Sequence, residues 1–148
     1  MLWTVEMEDC FNKQKRSLVM SRIRGKGNKS TELALISVFK EFKITGWRRG
    51  SRLKGKPDFI FSKLRIAVFV DGCFWHGHEC QRSTPQTHKK YWLPKITRNK
   101  ERDAEVSRFL KSKGWRVIRI WECELRKKKR NLLKKKIRVL LHQRKKDC

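Results

Sequence analysis

The residues richest in chemistry lie between Pro57 and Cys80, in the stretch PDFIFSKLRIAVFVDGCFWHGHEC. Asp58 heads one apolar run, Phe59 to Phe61, and Asp71 closes a second, Ile66 to Val70, after a polar break at Ser62 to Arg65. Cys73, Phe74, Trp75, His76, His78 and Cys80 follow at once, so hard oxygen donors, soft metal ligands and flat rings share one window. Asp58 is the type of ligand that Mg²⁺ takes, since that ion uses one or two carboxylates and keeps water on its other positions. His76 is the type of group that serves as a general base, with a neutral imidazole available near pH 7. Such a pair suits hydrolysis of a phosphodiester, which needs a cation to spread developing charge and a base to take a proton from water. A histidine among Cys and His neighbours is equally of the zinc-binding type. Cys73, His78, Cys80 and the distant Cys123 would make a Cys3His set without an open position, a structural zinc, and buried free thiols are the alternative. If zinc takes those four, His76 is left for catalysis.

Positioning these groups falls to a few elements. The two apolar runs predict a hairpin inside a sheet, with Asp58 at the mouth of the core. Ser30 or Thr31 can cap a helix to about Lys43, with Leu35, Ile36, Phe39 and Phe42 as its buried stripe. Glu32 shares that inward face and therefore needs either a partner at a site or, more blandly, only the helix dipole. Gly46 to Lys56, GWRRGSRLKGK, reads as a basic loop or edge strand suited to a phosphate backbone or merely solvated. A helix is expected from about Arg98 to Gly114, burying Val106, Phe109 and Leu110, with Asp103 on its solvated face beside Glu101 and Glu105. Trp115 to Trp121 is the next strand, and Arg126 to Lys146 a basic helix whose stripe is Leu132, Leu133, Ile137, Leu140 and Leu141. Trp47, Trp115 and Trp121 are assigned to the core. Phe74 and Trp75, together with Trp92, are of the kind that enters between base pairs.

Composition narrows the partner. The 148 residues carry a formal charge of +26 and a pI near 10.6. Residues 1 to 125 alone hold 28 Lys or Arg against 13 Asp or Glu, which leaves +15, so the charge is not confined to the tail. That field attracts nucleic acid, and no segment is long and apolar enough to span a membrane. The opening MLWTVEMEDC is not a signal sequence, and five cysteines without a framework argue against a secreted domain, so a cytoplasmic, nucleoid-associated location is expected. The length suits one domain, divided into a basic arm at 1–29, a core at 30–125 and a basic helix and tail at 126–148.

The chain resembles the very short patch repair endonucleases, through the separated blocks KQKRSLVMSRIRGKGNKSTEL, KPDFIF, VFVDGCFWHGHEC, YWLPKITRNKERD and GWRVIRIWECEL. The resemblance implies an α/β fold like that of type II restriction endonucleases, a mixed β-sheet flanked by helices, with a structural zinc site. It implies nicking of one DNA strand 5′ to the thymine of a T·G mismatch with a catalytic Mg²⁺, and a nick in one strand needs only a monomer. It further implies functional links to a cytosine-5 methyltransferase and to a repair polymerase and ligase. By that likeness Asp58 and the backbone carbonyl of Val70 hold Mg²⁺, His76 activates water, and Glu32 is an acidic residue near the site. Cys73, His78, Cys80 and Cys123 match the zinc ligands. Phe74, Trp75 and Trp92 match an aromatic wedge, Met20 a minor-groove residue of the arm, and Asn99 and Asp103 a helix-start block. Val70 stands in place of the pattern's threonine and Asp71 in place of its second histidine, which leaves Asp71's part in the proton path or metal shell open. Two rivals remain: a restriction or junction-cleaving nuclease on the same scaffold, and a noncatalytic zinc module that binds nucleic acid.

Overall fold

The computed structural model describes residues 14–15, 17–18, 31–80 and 85–142. Most of the basic arm, including Met20, lies outside the described residues, as do Cys10, Gln81 to Thr84 and the tail beyond His142.

Three strands form the sheet in the order β1 (Phe59–Phe61), β2 (Ile66–Asp71), β3 (Arg116–Trp121). A tight turn joins β1 antiparallel to β2, and a long crossover brings β3 parallel to β2, pairing Val70 with Ile120 and Asp71 with Trp121. The sheet is therefore mixed, as expected. All six residues of β2 are buried, which is why that strand reads as an unbroken apolar run. Its side chains alternate between two cores. Ile66, Val68 and Val70 face one cluster with Leu35, Phe39, Leu133 and Ile137, while Ala67 and Phe69 face the other with Val106 and Leu110.

Helix α1 (Glu32–Glu41) buries Leu35, Val38 and Phe39, three residues at helical spacing that are almost fully enclosed. Each such side chain contributes about 1.5–3 kcal/mol of apolar burial. Ile36 and Phe42, expected in the stripe, pack only partly against that core. Thr31 occupies the N-cap position without a side-chain capping bond, contrary to the expected cap. Helix α2 (Lys89–Ser112) starts nine residues before the expected Arg98. Pro94 suggests a break because it has no N–H to give, but its face and that of Lys90 are exposed, so water can satisfy the freed carbonyl. Phe109, expected to be buried, is 38% exposed, and Lys54 and Lys113 cover its ring instead. Helix α3 (Arg130–His142) starts four residues after the expected Arg126 and buries Leu133 and Ile137, leaving Leu132 exposed.

One close approach matters for the site. Gly55 has φ of +82°, and a Cβ there would lie 2.3 Å from Val106, so only glycine lets the basic loop press on α2. Lys54 and Glu105 add an ion pair at 2.7 Å across the same contact.

Candidate active site and metal centre

Where β1 begins and β2 ends, the sheet opens into a cleft of about 710 Å³. Asp58, just before β1, is fixed by the antiparallel register beside the end of β2. Its Oδ2 accepts the N–H of Val70 at 2.7 Å. Burial first of all, and then the neighbouring carboxyl groups of Glu32 and Asp71, push the Asp58 carboxyl up to about 6, against the lowering effect of the Val70 bond. Glu32 points inward from the first turn of α1 with 6% of its side chain exposed, and Arg49 of the basic loop forms its ion pair. The inward phase of Glu32 thus ends at the cleft rather than at a helix dipole alone.

His76 lies on the same cleft. The turn that follows β2 carries it there, closed by bonds from the His76 N–H to the Gly72 carbonyl at 3.2 Å and from the His78 N–H to the Cys73 carbonyl at 3.0 Å. Its Nδ1 meets Oδ2 of Asp103 at 2.5 Å, and its Nε2 is 3.9 Å from Asp71. Asp103 is therefore not the solvated residue of the sequence reading: α2 turns it under the imidazole. Burial raises its carboxyl, but the hydrogen bond and charge of His76, with Arg119 and Arg102, outweigh that and hold it below the usual range. Arg119 links the two acids, at 2.6 Å from Asp71 and 3.4 Å from Asp103, with its guanidinium over the ring of Phe69. A carboxylate on Nδ1 fixes the tautomer and leaves Nε2 with its lone pair, the form needed in a base.

Sequence reasoning missed Arg49 and Arg119. A cation inside the apolar strand WRVIRIW is a signal that it has a buried partner, and Asp71, only 3% exposed, is that partner.

A second cluster sits behind the turn. Cys73, His78, Cys80 and Cys123 bring one ligand atom each within 4.8 Å of one another, and His76 is not among them. Burial, chiefly, pushes the Cys73 thiol up to about 12. Three thiols and an imidazole in a closed set fit a soft four-coordinate ion, and the carboxylates of the cleft fit a hard divalent one. Asp71, His76 and Asp103 form a further group of potential ligands. Trp121, assigned to the core from sequence, instead stacks on His78 at 4.2 Å. Trp47 and Trp115 are half-buried against the two cores.

Phe74, Trp75 and Trp92 meet edge to face, with centroids 5.2 to 5.7 Å apart. Trp92 is buried, whereas Phe74 and Trp75 are partly exposed. Asn99 donates to the Trp75 carbonyl at 2.8 Å and so holds the turn from α2.

Known proteins resemble this chain over most of its length. The family model described as DNA mismatch endonuclease Vsr matches residues 8–82. This chain belongs to the Vsr family. It is 36% identical over 121 residues to the DNA mismatch endonuclease Vsr of Escherichia coli K12, spanning 81% of this chain and 77% of that one. It is 41% identical over 124 residues to the type II nicking enzyme V.NmeAIP of Neisseria meningitidis serogroup A, spanning 82% and 87%. A shorter match, 48% over 77 residues, joins it to the nicking enzyme V.NaeI of Lentzea aerocolonigenes, over 52% of this chain and 46% of that one. The family makes this chain an endodeoxyribonuclease that acts on DNA, which excludes the noncatalytic zinc module. No helix among the described residues is long and apolar enough to cross a membrane.

Proposed function

We propose that this endonuclease nicks one strand 5′ to the thymine of a T·G mismatch, as a monomer on the restriction-endonuclease-like scaffold. Asp58 and the carbonyl of Val70 would hold Mg²⁺, which when bound supplies positive charge at the scissile phosphate. Glu32 stands beside Asp58 as the acidic residue next to that centre. His76 takes the proton of the attacking water at Nε2, and Asp103 keeps Nδ1 protonated and the ring in line. Cys73, His78, Cys80 and Cys123 would hold Zn²⁺ and stiffen the turn that carries His76. Phe74 and Trp75 present ring surface to the helix, backed by the buried Trp92, and enter at the mispair, where stacking is weakest. Asn99 then acts through the Trp75 backbone, and Met20 of the arm approaches from the minor groove. The expected setting is a cytoplasmic, nucleoid-associated enzyme in step with a cytosine-5 methyltransferase, which makes the base whose deamination gives T·G, and with a polymerase and ligase that complete the repair.

The observation that carries this reading is that Asp58 and His76 line one cleft while the four-ligand cluster excludes His76. Strand-labelled duplexes containing T·G, matched T·A or a four-way junction, incubated with Mg²⁺, test it. Nicking confined to the thymine strand of T·G, and lost in His76→Ala with binding retained, is the expected result. Equal cutting of matched or branched duplex would favour a restriction or junction-cleaving enzyme instead.

A further inference from the structure

Beside the catalytic cleft lies a second and wider groove, about 920 Å³, whose walls are the basic loop on one side and the β1–β2 turn with Trp115 on the other. Arg48, Arg49, Arg52, Lys63 and Arg65 all line it, and among the described residues no carboxylate does. The two depressions share Arg49, Gly50 and Ser51, so the groove borders the catalytic cleft along that stretch of the loop.

The cations are presented by backbone that is held in place. Arg48 pairs with Ile60 of β1 through both backbone bonds, at 2.9 Å, and its guanidinium donates to Ser62 Oγ at 3.0 Å. The loop is pinned behind by the Gly55 contact and the Lys54–Glu105 pair. Arg65 ends the turn with φ of +50°, a conformation that favours glycine, yet the position carries a guanidinium. That guanidinium donates to the Lys113 carbonyl at 2.8 Å and lies over the Trp115 ring.

We propose that this groove is a second phosphate track, which holds the duplex backbone on the flank of the nick that leaves across Arg49 to Ser51. Arg49 at the rim is held by Glu32, but a concave row of Arg48, Arg52, Lys63 and Arg65 bordering a site for one phosphate fits successive phosphates of the same duplex. The track carries no base-edge recognition, so it serves matched and mismatched DNA alike. It rests on the DNA-cleaving activity that the family establishes, not on the mismatch preference.

The test is fluorescence anisotropy of the full chain with labelled matched and T·G duplexes from about 0.05 to about 0.3 M KCl. Removing two phosphate contacts in Arg52→Gln/Lys63→Gln lowers the slope of log affinity against log salt by about 1.8, and at about 0.15 M salt weakens binding on the order of 30-fold. Both duplexes lose the same factor. Either single variant lowers the slope by about 0.9, and Arg52→Lys restores it. Trimming the duplex on one flank abolishes the effect of the substitutions. An unchanged slope in both single variants, or a loss restricted to the T·G duplex, overturns the proposal. The mismatch reading is judged separately, by which duplex is nicked.

Discussion

Replacing Asp58 by Asn tests the electrostatics of the cleft directly. The folded protein holds this carboxyl at about 6 against an ordinary value of 3.8, with burial as the main cause. Below 3.8 the group is protonated in folded and unfolded chains alike, and its favourable contribution is fully present. As pH rises through about 6 that contribution is lost, so the ionised residue strains the cation-free fold. At about 1.36 kcal/mol per pH unit, the interval amounts to an upper limit of about 3 kcal/mol. Asn keeps an oxygen to accept the Val70 N–H and removes the charge. In Mg²⁺-free buffer at about pH 8, Asp58→Asn therefore melts higher than the parent, by up to about 6–12 °C at about 2–4 °C per kcal/mol. The gap closes below about pH 4. Mg²⁺ raises the parent's melting temperature and leaves the variant's unchanged, because only a folded site that binds the ion gains from it. Thermal melts by circular dichroism across pH, with and without Mg²⁺, decide the matter. A variant no more stable than the parent at about pH 8 would refute the claim that a buried, crowded carboxylate awaits a cation there.

Three other perturbations have distinct readouts. Asp103→Asn removes the anion that fixes the imidazole, so nicking falls about 10²-fold or more while Kd for duplex changes little, measured by single-turnover cleavage beside anisotropy. Arg119→Leu leaves Asp71 buried without its cation and costs about 3–5 kcal/mol, read from urea melts near neutral pH, where restoring charge with Arg119→Lys recovers part of the loss. Cys123→Ser lowers the metal content of the purified protein from one zinc per chain to a small fraction, by atomic emission, and nicking is lost with it because the turn bearing His76 loosens.

How much of this is legible in the sequence depends on which forces fix each residue. The hairpin, the third strand and α1 follow from apolar runs and helical spacing, local signals that burial then obeys. Glu32, Asp58 and His76 stand in or beside those elements at phases that lead to one cleft, so their convergence is foreseeable. That of Asp103 is not, because its neighbours Glu101 and Glu105 make it look like one more solvated acid. Only the crossover packing of α2 on the sheet turns it under His76. The start of α2 is misplaced from sequence because Pro94 is a strong local breaker whose cost depends on exposure, which sequence does not state. Trp121 is misassigned for a similar reason: at a strand end an aromatic ring can cover a core or a ligand, and the parallel register decides which.

That register has a wider consequence. Asp71 and Trp121 face each other at the last rung of the ladder, and two residues beyond them stand Cys73 and Cys123. A slip of one residue between these neighbouring strands would therefore uncouple the guanidinium from its acid and, in the same movement, pull apart the thiols. A chain that assembled in the wrong frame would lose the Asp71–Arg119 pair and the four-ligand cluster together. Engineering one centre without disturbing the other will require changes away from the strand ends, on the loops or on α2, since the ends of both strands serve the two together.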